Sequence, residues 1–147
     1  MSLAIRKVTK TDMAFVADSF LESFRTSHAA GLIAMDDWRI VMTRQLGLLF
    51  ARPGVDVHVA HHPTEAVADL YGWAAVERSQ PVPLVLYVYV KQPYRRMGIA
   101  KALLGAAGIS PTDNFEYAAK TGVVSKLGYA IPNARWNPLR ARFNPKP

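Results

Sequence analysis

The sequence predicts a mixed α/β sheet, and three observations carry that expectation. Apolar and polar residues alternate in "LAIRKVT" near the start and in "VDVHVAHH" further on, the period-two pattern of half-buried strands. Between them, apolar residues recur at helical spacing. The most apolar run of the chain, from Leu84 to Val90 within "PVPLVLYVYV", then leads through a glycine-bearing junction into an Ala/Leu-rich stretch. With 147 residues, half of them hydrophobic, the chain suits one core, and residues 1–147 are expected to form a single domain.

Each element follows from local chemistry. The first strand gives way at Thr11 and Asp12, which supply helix-capping oxygens. Phe15, Val16, Ser19, Phe20 and Ser23 then recur on one side, predicting a helix over 12–25. Residues 26–34 read as a loop. Asp36 and Asp37 open a second helix, with Trp38, Val41, Met42, Gln45, Leu46 and Leu49 expected along one side, and Arg52-Pro53-Gly54 stops it. "VDVHVAHH" is a strand, "HPTE" a turn, and "AVADLYGWAAVER" its hairpin partner. Leu84 to Val90 predicts a strand buried on both faces. Gly98 to Ala107 is a third helix, ended by Gly108. After the turn "SPTDN", "FEYAAK" reads as a short strand, "GVVSKLG" as a short helix, and "ARWNPLRARF" as a last strand interrupted by Pro138.

Composition excludes several classes. The chain has no cysteine, so a disulfide framework, a thiolate zinc site and a cysteine nucleophile are ruled out. The longest apolar runs fall short of the roughly 20 residues of a membrane span. "MSLAIRKVTKTDM" carries charges where a signal peptide needs an apolar stretch. A soluble, cytoplasmic protein is the expectation. The net charge of +7 is uneven: residues 1–116 hold 12 Lys/Arg against 11 Asp/Glu, whereas residues 117–147 hold six cations and no acid. Within that end, "ARWNPLRARFNPKP" interleaves Arg135, Trp136, Arg140, Arg142 and Phe143. Such interleaving suits a nucleic-acid groove, a last strand with snorkelling arginines, or a counter-charge for a phosphate.

The junction "KQPYRRMGIAKALLG" is the most informative stretch. A helix start exposes backbone N–H groups with no intrahelical partner, and the helix dipole adds positive potential there. Gly98 removes the Cβ that would keep a ligand away, and Ala100 keeps the next turn small. Arg95 and Arg96 bring charge-assisted hydrogen bonds. The junction is therefore suited to a pyrophosphate. No G-x-G-x-x-G and no G-K-[ST] occurs, which disfavours nicotinamide and nucleoside-triphosphate readings.

"YVYVKQPYRRMGIAKALL" resembles the acetyl-CoA-binding motif of the GNAT (GCN5-related N-acetyltransferase) superfamily: a strand ending in Val, then Arg/Gln-x-x-Gly-x-Gly/Ala opening a helix. Arg95, Gly98 and Ala100 fall on those positions. The resemblance implies a GNAT-like fold, an α/β (α+β) arrangement with a mixed, mostly antiparallel central sheet flanked by helices and a splayed central strand that carries a bulge. It implies acetyl-CoA as co-substrate, with no metal, and direct transfer of the acetyl group to an amine acceptor. Amides from Arg96 through Met97, Gly98, Ile99 and Ala100 to Lys101 would hold the pyrophosphate, and Val88, Tyr89 and Val90 would face the pantetheine arm. One strand N–H would polarise the thioester carbonyl. Homodimers are common in that superfamily.

Two usual proton-transfer residues of the superfamily are absent. Leu86 and Tyr87 stand where a strand glutamate is common, and Val124 stands where a tyrosine precedes the Gly128-Tyr129 pair. The replacements are Tyr87 and Tyr89 on the face opposite Val88, Glu77 at the end of the preceding strand, and Ser125 beside Val124. Phe24, His28 and Trp38 border the region where the superfamily binds its acceptor. The stretch after Gly108 is short for the superfamily, so a non-catalytic, nucleic-acid-binding or nucleobase-modifying protein using the basic end is the alternative. His58, His61 and His62 cluster without a cysteine to assist, which argues against a metal site.

Overall fold

The computed structural model describes residues 3–25, 35–110, 113–118 and 134–136. Six strands form one sheet in sequence order: β1 (Ala4–Lys7), β2 (Val55–His62), β3 (Glu65–Glu77), β4 (Leu84–Val90), β5 (Phe115–Tyr117) and β6 (Ala134–Trp136). The first four pair antiparallel, while β4–β5 and β5–β6 pair parallel. Among the described residues, three α-helices accompany them: α1 (Met13–Arg25), α2 (Met35–Phe50) and α3 (Ile99–Ala106). The sheet is thus mixed and mostly antiparallel, as the resemblance implies. The short helix predicted around residues 122–128 lies outside the described residues.

The sheet is buried on both faces. On one side α3 packs through Ile99, Leu103 and Leu104 onto Val85, Val88, Val90 and Val76. On the other, Val16 and Phe20 of α1 and Leu46 of α2 cover Trp73, Leu84, Leu86 and Tyr87. Double burial is why β4 reads as an unbroken apolar run.

The entry to α1 departs from expectation. Asp12 is not the cap itself: Thr9 caps a short 3-10 turn, Lys10–Asp12, that precedes the helix. The Asp12 carboxylate accepts from the Thr9 amide at 2.7 Å and from both terminal nitrogens of Arg6, at 2.6 and 2.9 Å. Arg6 and the Thr9 groups stabilise the charged form, holding the Asp12 carboxyl down at about 2. Helix α2 differs too. Leu46 is buried and Leu49 and Phe50 are half-buried, but Val41 and Gln45 face solvent. Apolar residues occur all round this helix, so the pattern does not settle which side meets the sheet.

Candidate functional site

The site is built where β4 parts from β5. Along β3, β4 is paired from Leu84 to Val90. Along β5 it is paired only at Leu84 and Val85. Beyond Val85, the β5 side of β4 has no strand partner among the described residues. At the same point β4 carries one extra residue: Ala75 faces Tyr87 and Val76 faces Val85, leaving Leu86 as a bulge. The bulge resets the side-chain alternation, so Leu86 and Tyr87 both join the α1/α2 side, while Val85, Val88 and Val90 lie on the α3 side. The splayed, bulged central strand expected from the resemblance is therefore present.

The open edge exposes particular backbone groups. The Lys91 amide donates to the Tyr71 carbonyl at 2.8 Å, on the β3 side. Because antiparallel pairing alternates sides residue by residue, the N–H and C=O of Val88 and Val90 point the other way, into the gap. Gly72 lets the strands meet here: a Cβ on it would run into the Tyr89 carbonyl oxygen.

From Val90 the chain enters the helix through a loop held at three points. Tyr94 packs on Tyr71, ring centroids 4.4 Å apart. The Tyr94 amide donates to the Lys91 carbonyl at 2.9 Å. Arg95 donates from Nε to the Val90 carbonyl at 2.8 Å. Two left-handed residues follow, Arg96 at φ 67° and Gly98 at φ 78°. A left-handed turn of this kind turns successive amides toward one concavity, at a cost of roughly 1–2 kcal/mol for the non-glycine residue. The first bond of the helix is from the Ala102 amide to the Gly98 carbonyl, 3.0 Å. No acceptor among the described residues takes the amides of Arg96 to Lys101. Beside Gly98, no atom of the described residues lies within 4 Å of where a Cβ would stand. Met97 and Gly98 are exposed, Ile99 is buried against the sheet, and Lys101 is exposed. The tyrosine contacts that steady this loop were not singled out from sequence; the only trace of them is Tyr94 inside "KQPYRRMG" and Tyr71 inside "DLYGW".

The candidate proton-transfer residues fall in different surroundings. Tyr87 is buried, stacked on Trp73 at 5.2 Å and edge-on to Phe20 at 5.0 Å. Trp73 in turn donates from Nε1 to Ser19 Oγ at 2.7 Å. Tyr89 is half-buried, edge-on to Phe15 at 6.1 Å, and Lys91 Nζ lies 5.3 Å over that same Phe15 ring. Both tyrosines lie on the face opposite Val88. Glu77 is at the far end of β3, opposite Leu84. It is buried and takes the Arg52 Nε at 2.7 Å and the Ser79 hydroxyl at 2.7 Å. Glu77 thus neutralises a buried arginine at the end of the strand remote from Val90. Phe24 is in the last turn of α1 and Trp38 in the first turn of α2. His28 and Ser125 lie outside the described residues, as does most of the basic end.

His61 and His62 bond locally. His58 is buried, and burial pushes its pKa down. His61 Nδ1 meets the His62 carbonyl at 2.7 Å, and the Thr64 amide donates to His62 Nδ1 at 3.2 Å. Among the described residues, no three His, Asp or Glu side chains gather as a metal site would require.

No family model and no curated protein matches the chain. Solved structures do. PaiA N-acetyltransferase from Thermoplasma acidophilum, in complex with coenzyme A, is 20% identical over 74% of this chain and 70% of that one, with a TM-score of 0.54. The histone acetyltransferase HPA2 and related acetyltransferase from Corynebacterium glutamicum is 18% identical over 73% and 70%, TM-score 0.55. A GCN5-related glucosamine N-acetyltransferase region of a fungal multi-domain GH3 β-N-acetylglucosaminidase is 14% identical over 72% of this chain and 12% of that one, TM-score 0.52. At these identities the likeness is one of fold. The chain has the fold of the GNAT acetyltransferases.

Proposed function

We propose that the protein is an acetyl-CoA-dependent N-acetyltransferase. One observation carries the reading: among the described residues, the edge of β4 beyond Val85 has no strand partner and runs directly into six amides without an acceptor at the start of α3. The first half suits a peptide-like arm, since pantetheine can pair with a strand edge as another strand would. The second half suits a diphosphate. Val88 through its N–H and C=O, and Val90 through its N–H, would pair with the arm, the Val90 carbonyl being held by Arg95, and Arg96 to Lys101 would hold the pyrophosphate through their amides. Arg95 and Arg96 would add charge.

The chemistry is a direct displacement. The amine nitrogen attacks the thioester carbonyl carbon, the carbonyl oxygen takes up negative charge, and a β4 N–H in the gap stabilises it. The intermediate collapses by breaking the C–S bond. The thiolate gains a proton, and the new amide nitrogen releases one to water. Tyr89 is the proton donor we favour, because it combines partial solvent access with a place between Val88 and Val90. Tyr87 packs against Trp73 and serves the core. With no glutamate on β4, deprotonation of the amine falls to water, and positioning supplies much of the rate.

The test is thiol release from acetyl-CoA across a panel of amines. The chain has no cysteine, so every thiol detected is product. Release that depends on the amine and disappears in Gly98→Val supports the reading. Absence of release with every amine, together with absence of coenzyme A binding, overturns it.

A further inference from the structure

Lys91 follows β4, and its side chain turns to the α1 side of the sheet. Val88 and Val90 lie on the α3 side and Tyr89 on the other, so the alternation carries Lys91 to the side of Tyr89. The contacts agree. Lys91 Nζ lies 5.3 Å over the ring of Phe15, and Tyr89 meets the same ring edge-on at 6.1 Å. One ring thus holds a cation beside the tyrosine favoured as proton donor. Lys91 is half-buried, and no carboxylate among the described residues pairs with it. The buried carboxylates of Asp12 and Glu77 are committed to Arg6 and Arg52. Contact with a ring face leaves the three N–H donors of an ammonium without an acceptor. The cation also points away from the diphosphate amides, because α3 packs on the opposite face through Ile99, Leu103 and Leu104.

We propose that Lys91 determines acceptor specificity, and that the acceptor is an amine carrying an anionic group close to its nitrogen, as an α-amino carboxylate does. The inference rests on the acetyl-transfer reading and adds the acceptor's chemical class to it. An amine that attacks the thioester beside Tyr89 brings the substituents of its own carbon toward Phe15 and Lys91. A carboxylate there accepts charge-assisted hydrogen bonds from the ammonium. A second amino group there, protonated as in a diamine, meets like charge at a half-buried position. One side chain therefore attracts one class of amine and rejects another, which is how specificity is set when the reacting group is common to both. Phe15 is a positioning residue for this selection: its ring keeps the cation at the side of Tyr89.

The experiment is steady-state kinetics of the full chain with matched acceptors: α-amino acids, their amides, and diamines of similar length. The amide is the stricter comparison, because its amine loses a proton more readily and reacts faster where nothing recognises the carboxylate. The wild type is expected to favour the amino acid over its amide by about tenfold or more in kcat/KM, with the difference in KM. Lys91→Met should bring that ratio to one or below. Lys91→Glu should shift preference to the diamine, and Lys91→Arg should keep it with the amino acid. Phe15→Leu, which removes the ring face, should lower the ratio part of the way. Damage common to both amines cancels in the ratio. A wild type that favours amide or diamine overturns the proposal, as does a ratio unchanged in Lys91→Met. So does a Lys91→Met variant that loses as much coenzyme A affinity as acceptor preference, since the cation would then serve the cofactor. Absence of thiol release with every amine, together with absence of coenzyme A binding, is a separate failure: it removes the acetyltransferase reading and this inference with it.

Discussion

Arg95 Nε donates to the carbonyl oxygen of Val90 at 2.8 Å, tying the loop before α3 to the last residue of β4. This bond uses one of the five guanidinium donors and leaves the two terminal nitrogens for a phosphate. Arg95→Ala should weaken coenzyme A binding by about ten- to a hundredfold, the range for losing charge-assisted hydrogen bonds. Arg95→Lys should recover only part, because an ammonium cannot hold the carbonyl and a phosphate as a fork does. Calorimetric titration with coenzyme A measures both.

The Arg52–Glu77 pair is a structural element of the sheet's far end. Removing one partner of a buried ion pair strands the other charge and costs about 3–5 kcal/mol. Glu77→Ala should therefore lower the melting temperature sharply. Turnover per folded molecule should be unchanged. A variant that keeps its melting temperature and loses turnover would restore Glu77 as a base.

The two β4 tyrosines should separate by assay. Tyr89→Phe removes only a hydroxyl at a half-buried position, so stability should hold while kcat falls about tenfold or more, as for loss of a positioned proton donor. Tyr87→Ala should do the reverse, costing about 3 kcal/mol or more of stability through the cavity left against Trp73 and Phe20. Chemical denaturation alongside steady-state kinetics distinguishes them.

Asp12 links stability to acid pH. Its folded pKa, held at about 2 by Arg6 and Thr9, lies below the ordinary value of 3.8. A depressed carboxylate pKa contributes stability above the unfolded value, and that contribution is lost as pH falls from about 4 to about 2. The shift is worth roughly 2 kcal/mol at neutral pH. Asp12→Asn should remove that much stability near pH 7 and flatten the loss between about pH 4 and 2, read from denaturation midpoints against pH.

Much of this site was legible in the sequence because its elements are local. Leu84–Val90 is apolar at every position, and Gly98 marks the helix start by itself. The resemblance implies a bulge in this strand, but its position at Leu86 was not legible: on a strand buried on both faces, a slip in alternation replaces one apolar residue with another. Nor was the partner of Glu77, since Arg52 lies 25 residues away while Arg78 is adjacent in the chain. Arg78 instead donates to the Ala107 carbonyl at 2.5 Å, at the end of α3. The outward face of α2 escaped for a further reason: apolar residues all round a helix leave its orientation to tertiary packing.

The central claim is that a diphosphate and a peptide-like arm lie along one continuous path from Val88 to Lys101. Amide chemical shifts of the nitrogen-15-labelled protein, followed during titration with coenzyme A, test it most directly. Saturable shifts concentrated at Val88, Val90 and Arg96 to Lys101 are predicted. Shifts absent there at millimolar coenzyme A, or confined to other parts of the chain, would contradict it.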